Sequence, residues 1–166
     1  METALARFSI QRRRLDHPDG IALIEQVQAE YVVRYGGPDE SPVEPEHFED
    51  PDGAFFVGYF DATPAAMGGW RWHSVPSDVT AGSAVEIKRM YVVPDHRGHG
   101  YARLMLGHLE ETATAAGAAA IILETGLRQP EAMALYESCG YTSVAGFGFY
   151  AEAALSRCYA KVLRAR

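Results

Sequence analysis

A chain of 166 residues is long enough for one ordinary domain, too short for two, and able to bury a core without disulfide staples. Its 48% hydrophobic and 22% charged residues match a globular protein, and no apolar run approaches the roughly 20 residues of a membrane span. A formal net charge of -7 repels phosphate backbones, which argues against a nucleic-acid partner and weakly favours a cationic ligand.

The N-terminal stretch Met1 to Leu15 carries Arg7, Arg12, Arg13 and Arg14 but no apolar block before a small-residue cleavage site, so no secretory signal is expected. Phe8 to Leu15 reads as a first strand. Asp16-His17-Pro18 reads as a helix start, followed by Ile21, Ile24, Val27 or Gln28, and Tyr31 at helical spacing, with Gly36-Gly37-Pro38 as the stop. Pro38 to Pro51, rich in proline and acid, suggests an irregular excursion or a short helix. Ala54 to Phe60 and Ala65 to His73 read as the two arms of a hairpin around Asp61 to Pro64.

After a loop over Val75 to Gly82, Ala84 to Val93 reads as a strand of alternating polar and apolar positions. Gly98 to Ala116 is expected as a helix, Ala119 to Thr125 as a short buried strand, and Pro130 to Ser138 as a helix closed by Gly140. The tail from Thr142 to Leu163 holds two more strands, the last over Leu155 to Leu163. Helix and strand alternate in the middle with hairpins at either end, which predicts a mixed α/β sheet in a single domain over residues 1–166.

The chemistry concentrates in Val92-Val93-Pro94-Asp95-His96-Arg97-Gly98-His99-Gly100-Tyr101-Ala102. A strand runs into a glycine-rich turn and then a helix, and the N–H groups and partial positive charge of a helix start suit a pyrophosphate. It is neither the dinucleotide fingerprint nor a P-loop. The six residues Arg97 to Ala102 resemble the [RQ]-x-x-G-x-[GA] signature of the GCN5-related N-acetyltransferase (GNAT) superfamily. Downstream, Leu135-Tyr136-Glu137-Ser138-Cys139-Gly140-Tyr141 resembles that family's L-Y-E-x-x-G-[FY] segment.

The resemblance implies a mostly antiparallel central sheet with flanking helices. In it, a splayed strand pair, here Val85 to Val93 and Ala119 to Thr125, binds acyl-CoA. It places the pantetheine amides on the backbone of Met90, Tyr91 and Val92, with a nearby main-chain N–H facing the thioester carbonyl. It puts the pyrophosphate beside Arg97 on the N–H groups of Gly98, His99, Gly100, Tyr101, Ala102 and Arg103. Gln129 stands where many relatives carry a cofactor-touching asparagine. Tyr136 matches the family's frequent general acid. Glu86 and Glu124 occupy the general-base positions of two branches, with Glu86 slightly favoured.

Taken together these features imply an enzyme that moves an acetyl group from acetyl-CoA, as co-substrate, directly to a primary amine. A protein N-terminus as acceptor, a longer acyl group, and a non-catalytic acyl-CoA-binding regulator are the alternatives. A small-molecule amine is the expected partner, and a homodimer is compatible with the family. Cys139 and Cys158 fit no zinc spacing, and so small a cysteine set suits a reducing cytoplasm. His96, His99 and His108 form no H-E-x-x-H pattern, and no metal is expected. Trp70, Trp72, Tyr31, Tyr35, the Gly36 to Pro45 loop and Phe147-Gly148-Phe149-Tyr150 are candidates for the acceptor side, against a default of core packing.

Overall fold

A computed structural model describes residues 7–74, 80, 82–147, 150 and 153–163. Most of the Val75 to Gly82 loop, and Gly148 and Phe149 of the aromatic turn, lie outside the described residues. Seven strands and three α-helices follow the expected order: β1 (Phe8–Arg12), α1 (Pro18–Tyr35), β2 (Gly53–Phe60), β3 (Thr63–His73), β4 (Ala84–Val92), α2 (Tyr101–Ala115), β5 (Ala120–Gly126), α3 (Pro130–Ser138), β6 (Thr142–Val144) and β7 (Ser156–Val162). A 3₁₀ turn at Pro45–Phe48 is the short helix of the proline-rich excursion. The strands hydrogen-bond in the order β1-β2-β3-β4-β5-β7-β6. Every described pairing is antiparallel except β4 with β5.

The chain divides into two compact units, Met1–Arg71 with Lys88–Leu109, and Trp72–Ile87 with Glu110–Arg166. In the first, α1 begins where His17 Nδ1 accepts the Asp19 N–H at 3.1 Å, with Pro18 preset for the first turn, and ends where the Gly36 N–H closes on the Val32 carbonyl at 2.9 Å. Leu23 and Val27 of α1 pack with Phe55, Val57 and Tyr59 of β2, Met67 of β3 and Tyr91 of β4. Alternation turns Phe56 to the opposite face, where its ring meets His108 of α2 edge-on at 4.5 Å. Covered on both faces, β2 is buried almost throughout. Each large apolar side chain so enclosed contributes roughly 1.5–3 kcal/mol.

The second unit starts with Ala84 to Ile87 of β4 running parallel to Ala120 to Leu123 of β5; β5 then pairs with β7 and β7 with β6. Register decides the faces. Glu86 lies opposite Ile122, Ala160 opposite Ile122, and Cys158 opposite Glu124, so Glu86, Ile122, Glu124, Cys158 and Ala160 share one face. Leu123 and Tyr159 lie on the other face, with α3, because the Tyr136 ring sits 6.2 Å from that of Tyr159. On that face Glu110 accepts from Tyr141 Oη and from Lys161 Nζ, each at 2.9 Å, and burial followed by the Glu110 charge pushes the Tyr141 phenol far up, keeping it neutral.

The polar positions of β4 do not face solvent: Ala84 to Ile87, Arg89, Tyr91 and Val92 are buried and Lys88 and Met90 half-buried. A central strand with both faces covered leaves its polar residues nowhere to reach water, so they must find partners inside.

A tight approach at the start of β2 gives the first prediction. Gly53 faces Arg71, and a Cβ there would fall on the carbonyl oxygens of His47 and Trp70, both backbone atoms that cannot swing away. Gly53→Ala should therefore lower stability by about 3 kcal/mol, read by thermal or urea denaturation. An unchanged melting temperature would contradict this packing.

Candidate active site

The glycine-rich turn is built as its sequence requires. Pro94–His96 forms one 3₁₀ turn after β4, and Gly98 and Gly100 then adopt φ of 82° and 84°, the left-handed region that side chains resist. No atom lies within 4 Å of a Cβ built on either glycine, so backbone conformation rather than crowding selects them. The first helical bond of α2 runs from Leu104 N–H to Gly100 C=O at 3.1 Å. The N–H groups of a first turn have no earlier carbonyl within their own helix, which makes that end a site for negative charge. Gly98, His99, Gly100 and Arg103 are exposed, whereas the Tyr101 ring is buried and stacked on Phe8 at 4.2 Å. Tyr101 can thus offer a ligand its main chain only.

Arg97, expected beside the diphosphate, is exposed and tied down on two sides. Its Nε donates to the Val92 carbonyl at 2.9 Å, its Nη2 to both Glu30 oxygens at 3.1 and 3.2 Å, and its guanidinium lies 5.5 Å from the Tyr91 ring centre. Arg97 clips the turn back to the end of β4 and to α1.

The expected proton carriers fall into two groups. Glu86 is buried at 5% exposure on β4, and Glu124 is half-buried on β5 of the same face, where the Cys158 thiol donates to its Oε2 at 3.9 Å. Burial first, with Glu124 adding, pushes the Cys158 thiol up, so it stays protonated and unreactive. Tyr136 is buried on α3 against the opposite face, edge-on to Tyr141 at 5.7 Å. Acid and base candidates therefore sit on opposite faces of the strands that carry the family resemblance. Gln129 is the residue before α3, half-buried. Among the described residues no group of three or more His, Cys, Asp or Glu could hold a metal.

Of the acceptor-side candidates, Trp70 is buried, Trp72 and Tyr35 half-buried, and Phe147 packs with Ile122, Cys158 and Ala160. These positions favour the core reading for Trp70 and Phe147. Sequence reasoning missed Asp39, Ser41, Lys88 and Arg89. Arg89 Nη1 donates to Asp39 Oδ2 at 2.5 Å, and Lys88 Nζ donates to Ser41 Oγ at 2.8 Å and stands 3.7 Å from the same Asp39 oxygen. Ser41 donates to Asp39 Oδ1 from both N–H and Oγ, while Gln28 fixes the Asp39 backbone on both sides. The available signal was a Lys-Arg pair inside an otherwise apolar strand.

With this geometry in place, the comparisons are decisive about family. Residues 22–141 match the model of the acetyltransferase (GNAT) family. An "IAA acetyltransferase" of Azospirillum brasilense is 35% identical over 142 residues, covering 82% of this chain and 85% of the relative. Among solved structures, a protein assigned as an acyl-CoA N-acyltransferase from Klebsiella pneumoniae superposes with a TM-score of 0.74 at 24% identity, over 95% of this chain and 98% of that one. The yncA protein of Salmonella typhimurium, solved with its cofactor acetyl-CoA, gives 0.68 at 18% identity over 96% of each chain. The chain belongs to the GNAT acetyltransferase family, whose class of enzyme is the acetyl-CoA-dependent N-acyltransferase.

Burial alone would raise the Asp39 carboxyl, but Lys88, the two Ser41 bonds and Arg89 outweigh it and hold it at about 2, below the ordinary 3.8. A lowered folded value stabilises above the unfolded one. The contribution should be complete above about pH 4 and drain away as pH falls toward 2. Melts across that window should show Asp39→Asn losing less on acidification than the parent while starting about 3 kcal/mol less stable at pH 7. Parallel pH profiles for the two proteins would refute the assignment.

Proposed function

We propose that this enzyme transfers an acetyl group from acetyl-CoA to a small-molecule primary amine by direct attack. The observation that carries the reading is the pair of left-handed glycines, Gly98 and Gly100, delivering an exposed helix start immediately after β4. That end of α2 fits a diphosphate by its donors and its dipole. In this reading Gly98, His99, Gly100, Tyr101, Ala102 and Arg103 hold the diphosphate through main-chain N–H groups, the exposed Arg103 side chain adding charge. Arg97 holds the turn beside it, and Met90 to Val92 offer main-chain partners to the pantetheine arm.

When bound, acetyl-CoA supplies an activated acetyl thioester, whose C–S bond breaks as the acceptor's N–C bond forms. The chain's own residues move two protons. An alkylammonium cannot attack until it is deprotonated. Glu86, buried on β4, takes that proton, with Glu124 on the same face able to share a water relay. Tyr136, held between Tyr141 and Tyr159 on the other face, gives its proton to the departing thiolate. A cysteine set as small as Cys139 and Cys158 supports a reducing, cytoplasmic setting.

The reading is tested by free-thiol release from acetyl-CoA with a panel of amines. Tyr136→Phe should lower kcat about a hundredfold with acetyl-CoA affinity unchanged, and Glu86→Gln should cost more in turnover than Glu124→Gln. Tight acetyl-CoA binding without thiol release across the panel would replace the enzyme by a binding regulator.

A further inference from the structure

We propose that Lys88 and Arg89 form an anion site for the acceptor, so that the amine this enzyme acetylates also carries a carboxylate. The inference rests on the transferase reading for the word acceptor, while the anion site itself stands on geometry alone.

Consecutive residues of a regular strand point to opposite faces. Lys88 and Arg89 do not, because Arg89 has a φ of 58°, a left-handed break that costs a non-glycine residue free energy and persists only where it is used. The break brings both cations to the same Asp39 oxygen, at 3.7 Å for Lys88 and 2.5 Å for Arg89. The other Asp39 oxygen is occupied by Ser41. Among the described contacts, two buried cations thus share one carboxylate. The Arg89 side chain is 6% exposed and that of Lys88 11%, so water screens both charges poorly.

A second observation points the same way. Arg89 Nε is buried and has no hydrogen-bond partner. A guanidinium offers a fork of N–H groups that matches a carboxylate, and a buried N–H left unmade is costly enough to call for an explanation. A bound carboxylate would complete the fork and balance the charge. The half-buried Tyr31 lies close enough to Arg89 and Asp39 to feel both charges, and together with Tyr35 it forms an aromatic border on α1. Burial, chiefly, holds the Tyr31 phenol up at about 12, so it stays a neutral hydrogen-bond donor. Two buried cations at one carboxylate oxygen, with the Arg89 Nε–H left unmade, select one kind of amine, an amino acid or similar amino carboxylate.

The test compares amino acids with their own carboxamides and decarboxylated amines, at saturating acetyl-CoA, by thiol release. The carboxylate form should be preferred roughly tenfold or more in kcat/KM, and Lys88→Met, which leaves Arg89 its Asp39 partner, should shrink that preference. The Nε–Hε NMR resonance of Arg89, assigned through its own side chain, should shift on adding the carboxylate and not the carboxamide. Equal or better use of the carboxamides, or an Arg89 resonance that no carboxylate moves, overturns the proposal. A thermal shift with acetyl-CoA on the same sample separates the cases. No shift removes the transferase reading, and the anion site then stands or falls on the resonance.

Discussion

The break in β4 at Arg89 is the constraint on which the functional half of this molecule depends. Up to Ile87 the strand is tied into a parallel ladder with β5, and two residues later a left-handed φ turns its course. Past that point the strand continues for three residues to Val92, whose carbonyl receives Arg97. A continuous ladder would have spent every main-chain group of β4 on a neighbouring strand and pointed Lys88 and Arg89 apart. The described ladder with β5 instead ends at Ile87, and the break gathers two cations at one carboxylate oxygen. The cost of a non-glycine residue at positive φ, roughly 1–3 kcal/mol, is offset by the Asp39 cluster and by the covered core around Tyr91.

Downstream of the break, charge is handled by clips rather than by solvent. Arg97 is held by Val92 and Glu30, Asp39 by Ser41 and Gln28, and Glu110 by Tyr141 and Lys161. Each clip leaves the main chain nearby with a fixed direction. At the turn after β4 this matters most, since a helix start can serve as an anion site only if its N–H groups hold one orientation without paying to acquire it when the ligand arrives.

Much of this was legible in the amino-acid sequence, because periodicity and punctuation are local. His17-Pro18 and Gly36 bound α1, Pro130 and Gly140 bound α3, and the glycines of the turn marked a strand-to-helix turn open to a ligand, which Gly98 and Gly100 make at left-handed φ. The family segment around Tyr136 located a buried phenol correctly on its helix. What stayed illegible is set by long-range pairing. Nothing local tells that Asp39, in a proline-rich excursion, meets Arg89 fifty residues on. Nor does the alternation of polar and apolar letters in β4 tell that its polar residues are buried or half-buried. The bonds of the signature arginine, Arg97, to Glu30 and to the backbone of Val92 are set by long-range pairing in the same way.

The central claim is that main-chain amides from Gly98 to Arg103 hold the diphosphate of a coenzyme whose arm runs along β4. Isothermal titration of acetyl-CoA into the folded protein tests it most directly. The account predicts saturable uptake of about one equivalent per chain, weakened when Gly100 is replaced by valine, whose branched side chain cannot take a φ of 84° without strain. Absence of any binding heat up to ~1 mM ligand, a ceiling equivalent to only about 4 kcal/mol of affinity, would contradict it.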